Sequence, residues 1–390
     1  MRILLAAEFT RDERVPVLAD ALTEAGHSVT LAVRDPLAWQ PRASVQAPAW
    51  RAEPPPGFLA STYADILLHA GYATLEALHG LLTGWLDLFA RTQPDLLLAD
   101  FAPTAMLASR IAGLAVAVSG DGYSLPPPTE PLPAMRRWAN QPSGPAVDTE
   151  GRVLAVANSE LSRLGGHPLP ALADLFRDAE AFLCTVAELD HYPDRGAADY
   201  FGPIYAAGTG DSPEWPPGSA ERCFARIDGR RPLLAPLIAA LDTLGLPAIV
   251  QADRISPSLA ASLSRPRVLV VAETVDRDAA LASCDFVACE HSAMVAPALL
   301  AARPVLMLPR HVEQLMTLHR IAPQGLGHGV PADADAAGVD AALRRLLDDA
   351  ACRQRVAGFA RSYQGYQPVM AADAVVGGVK SLTEETPPSR

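Results

Sequence analysis

The stretch Cys284–Gln314, CDFVACEHSAMVAPALLAARPVLMLPRHVEQ, decides the fold class of this chain. It predicts an apolar strand over Phe286–Cys289, a polar turn over Glu290–Ala293, a helix rich in Ala and Leu over Val295–Ala302 and a second apolar strand over Pro304–Leu308. A strand, turn and helix in this order place backbone N–H groups at a helix N-terminus, which suits an anionic phosphate group. The stretch therefore predicts an α/β unit with an anion-binding turn.

The same alternation of strand and helix runs through the rest of the chain. Near the N-terminus, Ile3–Ala7 is a short apolar run, Val15–Ala25 has helical spacing and stops at Gly26, and Val29–Val33 is apolar again. Such alternation favours parallel sheets covered by helices on both faces. The Pro- and Gly-rich stretch GTGDSPEWPPG (208–218) interrupts the pattern, which then restarts. We predict an N-terminal domain over residues 1–205, a linker over 206–218, a C-terminal domain over 219–380 and a disordered tail over 381–390.

Composition excludes several classes of protein. The chain has 390 residues, 49% of them hydrophobic, and a net charge of -12 from 32 basic and 44 acidic residues, which argues against nucleic acid as a partner. No apolar run approaches the roughly 18–20 residues that a membrane span needs. The five cysteines form no CxxC pair, and Cys284, Cys289 and His291 match no common zinc pattern, so we expect no metal site. These features predict a cytoplasmic protein with free, buried thiols.

The decisive stretch resembles the donor-nucleotide segment of the family 1 (UDP-glucuronosyltransferase-like) glycosyltransferases. In that family the turn usually reads His-Gly-Gly-x-Gly-Thr, and an Asp/Glu-Gln pair follows about twenty residues later; this chain has Glu290–Met294 in the turn and Glu313-Gln314 as the pair. Tyr200–Ile204 is similar to the Phe-Gly-Pro strand that precedes the family's interdomain linker. The resemblance implies the GT-B architecture, an α/β fold with two Rossmann-like domains that face a central cleft.

The resemblance also implies where a donor would bind. Glu313 and Gln314 correspond to the family's sugar-binding pair, since a carboxylate and an amide can hydrogen-bond adjacent hydroxyls. His291 and Ser292 could donate to a phosphate, whereas Glu290 puts a carboxylate where a diphosphate should lie, at a cost of about 1 kcal/mol at 4 Å in water. Either the Glu290 side chain points away, or the donor is not an ordinary nucleotide diphosphate sugar. Arg226, at the end of the first strand of the second half, is a further candidate for a phosphate contact.

The catalytic base is harder to place. The family's catalytic histidine follows the first strand and is held by an aspartate at the end of a later strand, and Asp100 matches that aspartate. The turn after the first strand contains no histidine, because the first one in the chain is His27, so Asp12 or Glu13 is the candidate base, with a raised pKa.

The resemblance predicts an inverting, metal-independent glycosyltransferase. Its co-substrate would be a nucleotide-diphosphate sugar, with no other cofactor, and its acceptor a small hydrophobic molecule. The altered turns leave two alternatives open. One is a non-catalytic GT-B homologue that binds ligands or activates a partner, and the other is a GT-B enzyme with an altered transfer reaction.

Overall fold

The chain forms two compact units. The computed structural model describes residues 1–9, 12–48, 50, 58–139, 143–331 and 334–384. Unit 1 comprises Met1–Ala206 together with Gln367–Arg390, and unit 2 comprises Ala207–Tyr366. Within the described ranges, no helix has both the length and the apolar character needed to cross a membrane.

Unit 1 is built on a six-stranded parallel sheet with the order β3-β2-β1-β4-β5-β6. The strands are β1 (Arg2–Ala7), β2 (Ser28–Val33), β3 (Ser44–Gln46), β4 (Leu96–Asp100), β5 (Val116–Gly120) and β6 (Glu180–Leu183). The central strands β1, β4 and β5 are buried along almost their whole length, because helices cover both faces of the sheet. All six strands therefore end at the same edge of the sheet.

Among the described residues of unit 1, seven α-helices surround this sheet: α1 (Arg14–Glu24), α2 (Tyr63–Leu67), α3 (Leu75–Thr92), α4 (Pro103–Ala112), α5 (Ser143–Arg163), α6 (Asp174–Arg177) and the C-terminal α14 (Pro368–Glu384). The first helix ends before Gly26, as predicted, where the backbone turns to φ +88°. Helices α2 and α3 are separated by a break at Gly71, whose φ of +102° lies in the left-handed region.

Unit 2 repeats the plan with a parallel sheet of order β12-β11-β10-β7-β8-β9. Its strands are β7 (Cys223–Asp228), β8 (Ala248–Asp253), β9 (Val268–Val271), β10 (Phe286–Cys289), β11 (Val305–Met307) and β12 (Gly327–Gly329). Its α-helices are α7 (Leu234–Thr243), α8 (Pro257–Leu263), α9 (Arg277–Ser283), α10 (Val295–Leu300), α11 (Val312–Ile321), α12 (Ala336–Asp348) and α13 (Ala350–Ser362). The strands and helix predicted from Cys284–Gln314 are confirmed as β10, α10 and β11, with a 3-10 turn (Ser292–Met294) before α10.

The C-terminal helix returns to unit 1, which differs from the predicted second domain over 219–380. Helix α14 packs on α1, and Gly378 lies so close to Phe182 of β6 that a Cβ at residue 378 would be 2.4 Å from the ring. The predicted disordered tail also begins too early, because Ser381–Glu384 complete α14. Residues 385–390 lie outside the described residues. Contacts between elements distant in sequence decide this boundary, so local composition could not reveal it.

Candidate functional site

Charged side chains gather where the parallel strands of unit 2 end. Asp228 ends β7, Asp253 ends β8, Glu290 follows β10, and Arg310 follows β11 after two intervening residues. In open α/β sheets this carboxyl edge is where ligands bind.

Three arginines converge on the carboxylate of Asp228, and we call Arg230, Arg254 and Arg310 the arginine cluster. Arg230 Nε donates to Asp228 Oδ1 at 3.3 Å, Arg254 Nη2 donates to Oδ2, and Arg310 Nη1 lies 3.5 Å from Oδ2. The Asp228 side chain is 2% exposed, whereas the three arginine side chains are 64%, 56% and 53% exposed. One carboxylate offsets one of three guanidinium charges, so the set presents an excess of positive charge to solvent.

The electrostatics of Asp228 reflect these neighbours. Burial raises its pKa, but hydrogen bonds from the Arg230 side chain and backbone, together with the charges of Arg254 and Arg230, outweigh burial and lower the pKa to about 2. Asp228 therefore stays ionised at neutral pH and holds the arginine cluster in place.

Glu290, predicted to bind the donor, turns back into the protein. Its side chain is 2% exposed, and its Oε1 accepts the backbone N–H of Asp228 at 2.9 Å. Arg231 Nε lies 3.2 Å from Oε2, an ion pair outside hydrogen-bonding geometry. Of the two alternatives stated for Glu290, the structure supports the one in which the carboxylate points away. Its position favours a structural role in the turn over contact with a donor.

Three other residues predicted to bind the donor remain accessible at this edge of the sheet. His291 is about two-fifths exposed, with Nε2 3.3 Å from Glu290 Oε1 and 3.9 Å from Asp253 Oδ2. Ser292 is half-buried at the start of the 3-10 turn. Arg226 is one-third exposed and donates from Nε to Asp253 Oδ2 at 3.2 Å. The structure thus brings all three to one edge of the sheet.

The Glu-Gln pair opens helix α11 and is mostly buried. Gln314 Oε1 accepts the backbone N–H of Arg310 at 2.7 Å, so this side chain shapes the loop that carries a member of the arginine cluster. Glu313 Oε1 accepts from Thr317 Oγ1 at 3.2 Å, and its Oε2 lies 3.9 Å from His311 Nδ1. Binding of a sugar by Glu313 and Gln314 stays a prediction.

In unit 1, Asp100 forms a buried ion pair with Arg14, the first residue of α1. Arg14 Nε and Nη2 donate to the two oxygens of Asp100 at 2.7 and 3.0 Å, and Ser119 Oγ donates to Oδ2 at 3.0 Å. Asp100 is fully buried, and the Arg14 side chain is 6% exposed. Where the resemblance implies an aspartate that holds a histidine, this aspartate instead holds a guanidinium, which cannot accept a proton.

The two candidate bases differ in their surroundings. The Asp12 side chain is 26% exposed, and its Oδ1 accepts the Arg14 backbone N–H at 2.8 Å. Burial is the main reason that the pKa of Asp12 is raised, with the charges of Asp100 and Asp121 adding to it and Arg14 opposing it. Glu13 occupies the N-cap of α1, where its side chain makes no capping hydrogen bond. Asp12 therefore has the property that a general base needs.

Two further carboxylates stand at the same edge of the unit 1 sheet. Glu8 directly follows β1, is 2% exposed, and accepts the backbone N–H groups of Thr104 and Ala105 at 3.2 and 2.7 Å. It thereby caps α4, and burial raises its pKa to about 7. Asp121 follows β5; burial raises its pKa, but the charges of His191 and Arg14 and hydrogen bonds from Ser124 outweigh burial and lower it.

Three aromatic residues also follow strands at this edge of the unit 1 sheet. Phe9, Phe101 and Tyr123 follow β1, β4 and β5, and ring centroids are 5.2 Å apart for Phe9 and Phe101 and 5.6 Å apart for Phe101 and Tyr123. All three are half-buried, and Phe101 adopts a left-handed φ of +49°. A bulky residue in that conformation carries strain, which is often found at functional sites. We call these three residues the aromatic patch.

No protein-family model matches the chain, and no curated protein sequence matches it. Solved structures do match over nearly the whole chain. CalG4, the calicheamicin glycosyltransferase, is 16% identical with a TM-score of 0.69, and the match covers 99% of each chain. The glycosyltransferase SsfS6 of Streptomyces sp. SF2575, complexed with thymidine diphosphate, is 19% identical with a TM-score of 0.64, over 98% of this chain and 99% of that one. The spinosyn rhamnosyltransferase SpnG, complexed with spinosyn aglycone, is 18% identical with a TM-score of 0.64, over 98% of this chain and 100% of that one.

The chain has the fold of GT-B glycosyltransferases. The predicted fold class, with two Rossmann-like sheets, is confirmed. At identities of this size the likeness shows the fold alone, so the activity has to be argued from the residues.

Several residues at these strand ends were not predicted from the sequence. They are Arg14 as the partner of Asp100, the arginine cluster as a unit, and Glu8 as a buried titratable group. Arg14 and Glu8 do stand beside predicted elements, and each member of the cluster follows a predicted strand. That position was the available signal, but many surface arginines also follow strands.

Proposed function

We propose that this GT-B chain is an inverting glycosyltransferase that transfers a sugar from a nucleotide-diphosphate donor to a small hydrophobic acceptor, without a metal ion. The observation that carries the proposal is the arginine cluster. It lies at the carboxyl edge of the unit 2 sheet, and one of its members, Arg310, belongs to the stretch Cys284–Gln314 that resembles the donor-nucleotide segment of family 1 glycosyltransferases. SsfS6, a solved structure of the same fold, is complexed with thymidine diphosphate.

The arginine cluster supplies what the altered turn lacks. Family turns with glycines let the backbone approach the phosphates, whereas this chain has Glu290–Met294 there. Guanidinium groups bind phosphate oxygens bidentately and remain charged at every physiological pH. Three half-exposed arginines held by one buried carboxylate therefore suit a diphosphate, both in the bound donor and as negative charge develops on the leaving group.

In the proposed transfer reaction, unit 1 supplies the group that accepts the proton. Asp12 takes the proton from an acceptor hydroxyl, and the hydroxyl oxygen forms a bond to the anomeric carbon of the donor. The bond from that carbon to the diphosphate oxygen breaks, and the diphosphate leaves with the electron pair. Inversion at the anomeric carbon requires the incoming oxygen to attack the face of the sugar opposite to the departing diphosphate. The Arg14–Asp100 pair orients Asp12, since the Arg14 backbone N–H donates to it.

The aromatic patch supports a hydrophobic acceptor. Its rings are half-buried and follow strands that end at the carboxyl edge of the unit 1 sheet, as Asp12 and Asp121 do. Aromatic rings in such a position offer apolar faces to a planar or aliphatic molecule. The spinosyn rhamnosyltransferase SpnG, a solved structure of the same fold, is complexed with spinosyn aglycone.

The test begins with thermal unfolding in the presence of UDP, dTDP, GDP and CMP and their common sugar conjugates. A ligand at a hundred times its Kd stabilises the folded state by about 2.7 kcal/mol, which raises Tm by a few degrees in a chain of this size. We expect one nucleoside diphosphate to raise Tm. If none does, the donor site and the proposed function are refuted.

Variants of the arginine cluster then locate the site. We expect Arg230→Gln or Arg254→Gln to weaken nucleoside-diphosphate binding about 5–30-fold, because each removes a charge-assisted contact to phosphate at a half-exposed position. Arg344→Gln is the matched control, since Arg344 is an exposed arginine of α12 that pairs with Asp340. Equal affinity in all three variants would place the nucleotide elsewhere.

The sugar end of the donor is tested with Glu313→Ala. We expect this variant to bind the nucleotide sugar more weakly and the bare nucleoside diphosphate with unchanged affinity. Titration calorimetry with both ligands measures the difference. Equal loss of both affinities would assign Glu313 a structural role through its contact with Thr317.

A second candidate function is a non-catalytic GT-B protein that binds a ligand or activates a partner. The Arg14–Asp100 pair favours it, because the position that would hold a catalytic histidine holds a guanidinium. To distinguish the two functions, a nucleotide sugar that raises Tm is incubated with the protein, and hydrolysis of the donor or transfer of its sugar is measured. Turnover that is lost in Asp12→Asn supports the enzyme, whereas tight binding without turnover supports the alternative.

A further inference from the structure

Three side chains with metal-binding atoms meet in unit 2, away from the arginine cluster. His328 Nε2 lies 2.9 Å from Asp349 Oδ2, and the ligand atoms of His328, Asp349 and Cys352 all lie within 4.8 Å of one another. His328 is the middle residue of edge strand β12, and Asp349 and Cys352 stand at the start of α13. They share no residue with the site of the proposed function.

Local structure fixes the two residues of α13. Asp349 is the N-cap of the helix, and its Oδ1 accepts the backbone N–H of Cys352 at 2.8 Å. The other oxygen of Asp349, Oδ2, faces the imidazole. One carboxylate therefore orients the helix and the histidine together.

Cys352 is fully buried, and its Sγ makes no hydrogen bond to any residue that the structure describes. The thiol is nonetheless within ligand reach of two polar groups that remain partly open to solvent, since the side chains of His328 and Asp349 are 20% and 28% exposed. A buried sulfur beside an accessible imidazole and carboxylate is an arrangement that a metal ion can use.

We propose that His328, Asp349 and Cys352 bind a divalent transition-metal ion, with Zn²⁺ the best match. Nitrogen, oxygen and sulfur ligands together suit Zn²⁺, which binds them at about 2.0–2.3 Å in tetrahedral geometry. Two such ligands are about 3.3 Å apart, so the 2.9 Å contact of His328 with Asp349 needs only a small expansion to admit the ion. A water molecule completes the coordination from the exposed side.

Charge balances in the loaded site. The Cys352 thiol releases its proton to solvent as the sulfur–metal bond forms, so thiolate and carboxylate together neutralise the dication.

The sequence predicted no metal site, and its spacing explains why. His328 and Cys352 are separated by the whole of helix α12, so the three ligands match none of the short ligand patterns that identify zinc sites. Only the packing of β12 against the α12–α13 turn brings them together.

Titration of the full chain with Co²⁺ tests the proposal, because a thiolate ligand gives a near-ultraviolet charge-transfer band and tetrahedral cobalt gives strong visible bands. We expect one equivalent of Co²⁺ to saturate both the charge-transfer band and the visible bands, and Zn²⁺ to displace the Co²⁺. Cys352→Ser should lose the charge-transfer band and bind at least 10-fold more weakly. Cys289→Ser removes a buried cysteine that is not one of the proposed ligands. It is the matched control and should keep the charge-transfer band and the affinity for Co²⁺.

Two further measurements keep the test decisive if Cys352→Ser folds poorly. His328→Gln should retain the charge-transfer band at high Co²⁺ but bind 10–100-fold more weakly. Zn²⁺ binding followed by calorimetry in buffers of different ionisation enthalpy should release about one proton per ion. Absence of a saturable thiolate band in the wild-type chain, or a band that survives in Cys352→Ser, overturns the proposal.

Discussion

Substitution of Glu8 should change how the stability of unit 1 depends on pH. Glu8 is buried, and its pKa in the folded protein is about 7, compared with 4.5 for an unperturbed glutamate. Because the folded-state pKa lies above the unfolded value, the unfolded chain releases this proton first as pH rises. The stability that Glu8 contributes is therefore fully present below pH 4.5 and is lost as pH rises through 7.

The magnitude follows from the two pKa values. At about 1.36 kcal/mol per pH unit, their difference corresponds to roughly 3.4 kcal/mol in total, of which roughly 2.5 kcal/mol is lost between pH 5 and pH 8. Glu8→Gln removes this titration but also removes one acceptor for the Thr104 and Ala105 N–H groups, which costs about 1 kcal/mol at every pH. The fixed cost cancels when the two pH values are compared. Relative to wild type, the free energy of unfolding of Glu8→Gln should therefore increase by roughly 2.5 kcal/mol from pH 5 to pH 8.

Urea unfolding at several pH values, followed by tryptophan fluorescence, measures this difference. Four of the five tryptophans belong to unit 1 (residues 39, 50, 85 and 138), so the signal reports mainly on the unit that contains Glu8. Glu24→Gln, at an exposed position near the end of α1, is the control. Unfolding free energies of wild type and Glu8→Gln that stay parallel from pH 5 to pH 8 would refute the assignment of a raised pKa to Glu8.

Two other predictions concern packing in unit 1. Arg14→Met and Asp100→Asn should each destabilise the folded state by about 3–5 kcal/mol, because each leaves a buried charge unpaired, and the double variant should cost clearly less than their sum in urea unfolding. Additive costs would contradict the ion pair. In α14, Gly378→Ala should cost about 1–3 kcal/mol, since its Cβ would lie 2.4 Å from the Phe182 ring. Gly377→Ala has nothing within 4 Å and should stabilise the helix by about 0.5–1 kcal/mol, so equal Tm shifts of the two variants would rule out this contact.

Much of the fold could be predicted because its signals are local. The buried strands β1, β2, β10 and β11 appear as short apolar runs, and Gly26 and Gly71 mark where a helix must stop or break. Helix α5 was not predicted, although Val153, Ala157 and Leu161 are buried at four-residue spacing. That signal was present in the sequence.

The candidate site was predictable only in part. The sequence places Asp12 and Asp100 in unit 1, and Arg226 and His291 in unit 2, at strand ends or in the turns beside them, and parallel strands bring their ends to one edge of each sheet. It does not indicate that Asp100 pairs with Arg14, because that contact joins residues 86 positions apart. Nor does it indicate which way Glu290 turns, since its orientation depends on the Asp228 N–H and on Arg231.

By itself, the sequence determined the strand–helix alternation, the two-sheet α/β plan and the position of the donor-like segment, because backbone propensity and hydrophobic periodicity act over a few residues. Only the tertiary structure decided the return of α14 to unit 1, the buried Arg14–Asp100 pair, the arginine cluster around Asp228 and the meeting of His328 with Cys352. Each of these depends on which elements become neighbours. Burial then sets the energy of every charge they bring together, and burial is a property of the packed chain rather than of any local stretch of sequence.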